Sequence, residues 1–229
     1  MTALLEFKEE PNYCMVTLDD GKANALSFAM LAQINEALDQ AQQAGKVIII
    51  CGRPGKFSAG FDLAVMGQGG DAMVELLRAG AALAQRLLKF DTPVVLAVSG
   101  HALAMGALLL LSADYRIGMH GNYKIGLNEV AIGMTLPYFG IELGRARLAV
   151  THVDKAIGLA QIYDATGAVE AGYLDEAVAQ DELLPRAIAV AGQLAGLNMD
   201  AHKQTKARIR ENLNMALETA IEKELGKPG

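Results

Sequence analysis

Apolar residues fall in two unbroken runs, Val47-Ile48-Ile49-Ile50-Cys51 and Val94-Val95-Leu96-Ala97-Val98. A strand exposed on one face alternates apolar with polar, so unbroken runs predict strands covered on both faces, as in a parallel sheet between helices. Ahead of them, residues 4–9 and 13–18 flank the turn-type segment Glu10-Pro11-Asn12 and predict an opening hairpin. Leu31, Ile34, Leu38 and Ala41 recur at three- and four-residue steps, which predicts a helix capped by Ser27 and ended by Gly45. A further helix is predicted over 71–90 and a short strand over 122–125. From Ile141 onward the pattern reads as almost wholly helical: a turn around Arg145, then helices over 154–163, 183–197 and 200–225. The fold class is α/β, with repeated strand, turn and helix units joined by right-handed crossovers.

Length and charge narrow this picture. The 229 residues, 52% of them hydrophobic, suit one domain with a helical appendage. No stretch of 18 uncharged apolar residues is present, and the first ten residues lack the pattern of a signal peptide, so a cytoplasmic protein with no membrane partner is expected. A net charge of −6 argues against a nucleic-acid partner. Cys14 and Cys51 sit among apolar neighbours in predicted strands, where buried reduced thiols are expected.

Two segments suggest chemistry. Phe57-Ser58-Ala59-Gly60-Phe61-Asp62-Leu63 follows the first apolar run, and Gly100 to Gly106 follows the second. Each reads as a small-residue turn from strand into helix, which leaves backbone N–H groups unpaired at the helix start. Two such ends facing one another make an oxyanion hole, suited to activating a carbonyl such as a thioester. Gly52-Arg53-Pro54-Gly55-Lys56-Phe57-Ser58 is not a phosphate loop: it has two residues between its glycines, not four, and Phe57 after the lysine. Gly67-Gln68-Gly69-Gly70 reads as a flexible connector or a lid. Lys203, Lys206 and Arg210 share one helix face, either a solvated surface or an anion contact.

The first of these segments, together with Gly100-His101-Ala102-Leu103-Ala104-Met105-Gly106, Ala113-Asp114-Tyr115-Arg116-Ile117 and Ile125-Gly126-Leu127-Asn128-Glu129, resembles the crotonase (enoyl-CoA hydratase/isomerase) superfamily over about residues 3–195. The last two pieces look most like the mitochondrial-type 3,2-enoyl-CoA isomerases. The resemblance implies a ββα spiral core over 1–195 and a C-terminal helical extension over 196–229 used for coenzyme A contact or association. It places Phe61 and Met105 at the oxyanion donors and Glu129 at the acid/base carboxylate. It also places Ala59, Gly60, Asp62, Leu108, Leu127, Pro137, Lys203 and Lys206 at the substrate, with the two lysines, and Arg210 beside them, on the phosphates of coenzyme A. No metal or redox cofactor is implied; coenzyme A enters as part of an acyl-CoA thioester substrate. A homotrimer or dimer of trimers is expected.

Three departures matter. Met105 stands where the family usually has Gly, which raises the question of strain. Leu108 replaces the second carboxylate of the hydratases, and Pro137 replaces the Asp of the dienoyl-CoA isomerases. The single carboxylate favours a double-bond isomerase. A thioester hydrolase, a weak hydratase using Glu129 alone, and a non-catalytic acyl-CoA-binding protein stand as alternatives. A Ser99/His101/Asp114 triad is disfavoured, because Asp114 lies at the far end of the helix that follows His101.

Overall fold

The computed structural model describes residues 2–226. The expected hairpin opens it, with β1 (Leu5–Glu9) antiparallel to β2 (Tyr13–Leu18). Helix α1 (Phe28–Ala44) begins where the Ser27 side chain accepts the Met30 N–H and ends at Gly45 in the left-handed conformation, as its pattern predicts. Strand β3 (Val47–Gly52) pairs in parallel with β2 and with β5 (Val94–Val98), and β7 (Tyr115–Met119) and β9 (Glu176–Val178) extend the same sheet. A second sheet of three parallel strands is built from β4 (Gly55–Ser58), β6 (Gly100–Leu103) and β8 (Ile125–Gly126).

The two sheets are threaded alternately. β3, β5 and β7 of the large sheet are each followed by β4, β6 and β8 of the small one, and helices return the chain to the large sheet. After β4 come the short α2 (Leu63–Met66) and the long α3 (Gly70–Lys89); after β6 comes α4 (Met105–Ser112), buried along its whole length; after β8 comes α5 (Tyr138–Arg147). This is the ββα spiral. The unbroken apolar runs are explained by cover on both faces: Ile48, Ile50, Leu96 and Val98 join the main core, whereas Val47, Ile49, Cys51, Val95 and Ala97 pack with Leu183, Ala187 and Val190 of α8 (Leu183–Ala195). Helix α9 (Met199–Leu225) lies along α3 and α5. Among the described residues, no helix is long and apolar enough to cross a membrane.

Several expectations need correction. The two small-residue turns are in part strands, since β4 and β6 occupy their first residues. The strand expected over 122–125 is only Ile125–Gly126. The turn around Arg145 is the helix α5. The helix expected over 154–163 stops as α6 (Val153–Ile157), because Ala160 has φ 49° and Tyr163 is drawn into reciprocal backbone bonds of 2.9 Å with Ile125. Helix α7 (Ala165–Ala171) and β9 were not anticipated. The outer ends of the expected two-part division, Met1 and residues 227–229, lie outside the described residues.

Candidate active site

The exit from β4 is held by buried polar groups. Asn24, at φ 52°, donates from its side chain to the carbonyls of Leu18, Lys56 and Phe57. Ser58 Oγ donates to the Asn24 carbonyl at 2.8 Å and accepts the Gly60 N–H at 3.2 Å. Leu26 and Gly60 then bond through Leu26 N–H to Gly60 C=O at 2.8 Å, and Asp62 N–H reaches Leu26 C=O at 3.4 Å. The Phe61 N–H lies between these bonds and has no acceptor among the described residues.

The start of α4 is pressed against this loop. A Cβ on Gly60, which sits at φ 92°, would fall 2.8 Å from Ala104 Cβ and 3.2 Å from the Met105 nitrogen. A Cβ on Gly106 would fall 2.6 Å from the Ser58 carbonyl oxygen. Only residues without side chains allow this approach, and it brings the Met105 N–H, which has no acceptor among the described residues, beside the Phe61 segment. The two donors expected of an oxyanion hole are therefore neighbours. The strain does not fall on Met105. It falls on Ala104, the residue before the helix, at φ 50° and ψ −125°. Met105 is helical and its side chain, 1% exposed, is turned into the core.

A cavity of about 200 Å³ opens at this point. Ala59, Phe61, Leu108, Glu129 and Pro137 line it, joined by Leu63, Met66, Leu77, Ala104, Asn128, Ile132, Met134 and Phe139. Gly60 acts through backbone contact, Leu127 is buried outside the lining, and Asp62 caps α2 by accepting the Ala64 N–H at 2.9 Å. These three lie outside the cavity lining. The lining is apolar apart from Asn128 and Glu129. Leu63, Ala104 and Asn128 lie in the segments singled out in the sequence and Phe139 is two residues from Pro137, whereas Met66, Leu77, Ile132 and Met134 carry no signal of their own in the sequence.

Glu129 begins the short turn Val130–Ile132. It is 7% exposed, and its Oε2 is buried with no hydrogen-bond partner among the described residues. Burial raises its pKa from 4.5 to about 7 against a small opposing effect of its own backbone. A carboxyl poised there can accept a proton and return it near neutral pH.

The basic residues of α9 do not reach this cavity. Lys206 is buried with its ammonium 2.6 Å from Asp114, and Arg210 reaches Asp114 at 2.9 Å and the Leu88 carbonyl at 2.9 Å. Lys203 pairs with Asp91 at 2.8 Å on the surface. The carboxylate that follows α4 explains the shared face of Lys206 and Arg210, which is neither solvated nor open to a phosphate. Asp114 is thereby occupied, and His101 Nδ1 accepts the Lys124 N–H at 3.0 Å, so no hydrolytic triad forms. Among the described residues, no three His, Cys, Asp or Glu side chains converge as metal ligands.

A loop amide and a helix-start amide thus stand beside an apolar cavity that holds one buried carboxyl. A family model for enoyl-CoA hydratase/isomerase matches residues 8–227, and the chain belongs to that family. A solved structure of an enoyl-CoA hydratase/isomerase family protein from Pseudomonas syringae is 44% identical, with a TM-score of 0.96, covering 97% of this chain and 96% of that one. The mitochondrial enoyl-CoA delta isomerase 1 of Homo sapiens is 28% identical over 91% of this chain and 67% of its own length. The crotonyl-CoA hydratase of Syntrophomonas wolfei is 30% identical over 93% of this chain and 84% of its own.

Proposed function

We propose that the protein is an enoyl-CoA isomerase that converts 3-enoyl to 2-enoyl thioesters. The relatives carry both isomerase and hydratase names, so the reading rests on one feature: Glu129 is the single carboxylate lining the cavity, with Leu108 among the apolar residues around it. The thioester oxygen accepts the N–H groups of Phe61 and Met105. Ionised Glu129 removes a proton from the α carbon, and the electron pair moves into a dienolate whose oxygen is held by those two donors. The protonated carboxyl then delivers the proton to the γ carbon, the double bond shifts to the 2,3 position, and Glu129 is ionised again. One carboxyl suffices because the proton taken is the proton returned. Hydration would need a second group to hold and orient water, and Leu108 cannot do so. The apolar lining also keeps water from the dienolate.

Replacing Glu129 with Gln keeps the shape and removes the proton acceptor. Turnover of a 3-enoyl thioester should fall at least roughly a hundredfold while binding persists. Turnover close to that of the unaltered protein would eliminate this mechanism.

A further inference from the structure

Helix α3 carries a glycine near its midpoint, Gly80, where its other buried positions hold only leucine and alanine. Glycine is the poorest helix former after proline, so its place in a buried helix interior requires a reason. The space around it supplies one. A Cβ on Gly80 would lie 2.4 Å from both Cε1 and Cζ of the Phe61 ring and 3.5 Å from Met105 Cε. The tip of the ring is thus seated in the recess that the missing side chain leaves, and the side chains of both amide-donor residues meet α3 at this one position. Phe61 lines the cavity, and so does Leu77, which precedes Gly80 by three residues on the same helix face.

Carbon atoms in contact stand about 3.5–4.0 Å apart, so any side chain at position 80 would make the ring withdraw by more than about 1 Å. Its surroundings decide the direction. Helix α3 closes one side, the buried Met105 side chain closes a second, and the cavity is the empty space that the ring borders. A displaced ring therefore takes room from the cavity. We infer that Gly80 is a positioning residue that sets the length of acyl chain the cavity accepts, by holding the Phe61 ring back against α3. The inference rests on the acyl-thioester site proposed above. The backbone on both sides of the Phe61 amide is bonded to Leu26, so a shifted ring leaves that amide in place and acts on the chain, not on the thioester anchor.

The test is Gly80→Ala, with binding of saturated straight-chain thioesters from butanoyl-CoA to dodecanoyl-CoA measured by isothermal titration calorimetry. In the unaltered protein affinity should rise with chain length until the cavity is full. In the variant the rise should stop at a shorter chain, with affinity just beyond the new limit down at least roughly tenfold and affinity for butanoyl-CoA unchanged. Adding Phe61→Leu to Gly80→Ala should restore the original limit, since the shorter side chain clears the added methyl. An unchanged limit in Gly80→Ala, or an equal loss at every chain length, overturns the inference. If Gly80→Ala alone does not fold, the double variant must, because the clash is with the ring; a double variant that also fails to fold overturns it too. Saturated chains cannot isomerise, so a shifted limit in a protein whose unaltered form does not turn over 3-enoyl thioesters would sink the isomerase reading and leave this inference standing.

Discussion

Burying Glu129 beside an apolar cavity has a cost that can be measured as stability. Its pKa rises from 4.5 to about 7, and at 7% exposure the group is little screened by solvent. At about 1.4 kcal/mol per pH unit, the folded state disfavours the charged form by about 3 kcal/mol. Because the folded pKa is the higher one, the folded protein binds the proton more tightly than the unfolded chain. Stability from this group is complete below pH 4.5 and is lost as pH rises to about 7. Glutamine at 129 carries no such charge. The stability of Glu129→Gln relative to the unaltered protein should therefore grow by about 3 kcal/mol between pH 4.5 and 8, most of it by pH 7. Urea unfolding of both proteins across this range reads the difference directly. Parallel pH curves would mean that Glu129 is not held in a desolvated site, and the argument for its acidity would fail.

Two further outcomes follow from the same geometry. Ala104→Gly should raise stability by about 1 kcal/mol, the relief at φ 50° exceeding the entropy that glycine adds to the unfolded chain; a lower melting temperature would show that the backbone there is not strained. Lys206→Met should cost about 3 kcal/mol by leaving Asp114 partly uncompensated, while Lys203→Met should cost under about 1 kcal/mol, and the two urea midpoints should differ accordingly. Equal losses would contradict the assignment of Lys206 to a buried pair and Lys203 to a surface one.

What could be read from the chain, and what could not, divides along physical lines. β3 and β5 were legible because burial on both faces demands unbroken apolar residues, and α1 because Ser27 and Gly45 supply bonds and a backbone conformation that few other residues supply as well. β4 and β6 were not, because each is only four residues long and begins with glycine, too short for a pattern to stand out. Lys206 and Arg210 of α9 were misread for a different reason: periodicity shows that they share a face but says nothing of the Asp114 carboxylate that the fold puts opposite it. Glu129 stood out only through the family resemblance, since glutamate in a turn is ordinarily solvated. The residues that share its cavity, among them Leu108, Ile132, Met134 and Phe139, come from three separate elements or turns.

The most direct test of the central claim is the partition between two reactions of one protein preparation: isomerisation of a 3-enoyl thioester and hydration of the matched 2-enoyl thioester, each followed by product analysis. With one carboxylate and Leu108 in the cavity, isomerisation should exceed hydration by at least roughly a hundredfold, the magnitude of one well-placed acid–base group. Hydration as fast as isomerisation, or faster, would contradict the single-carboxylate mechanism.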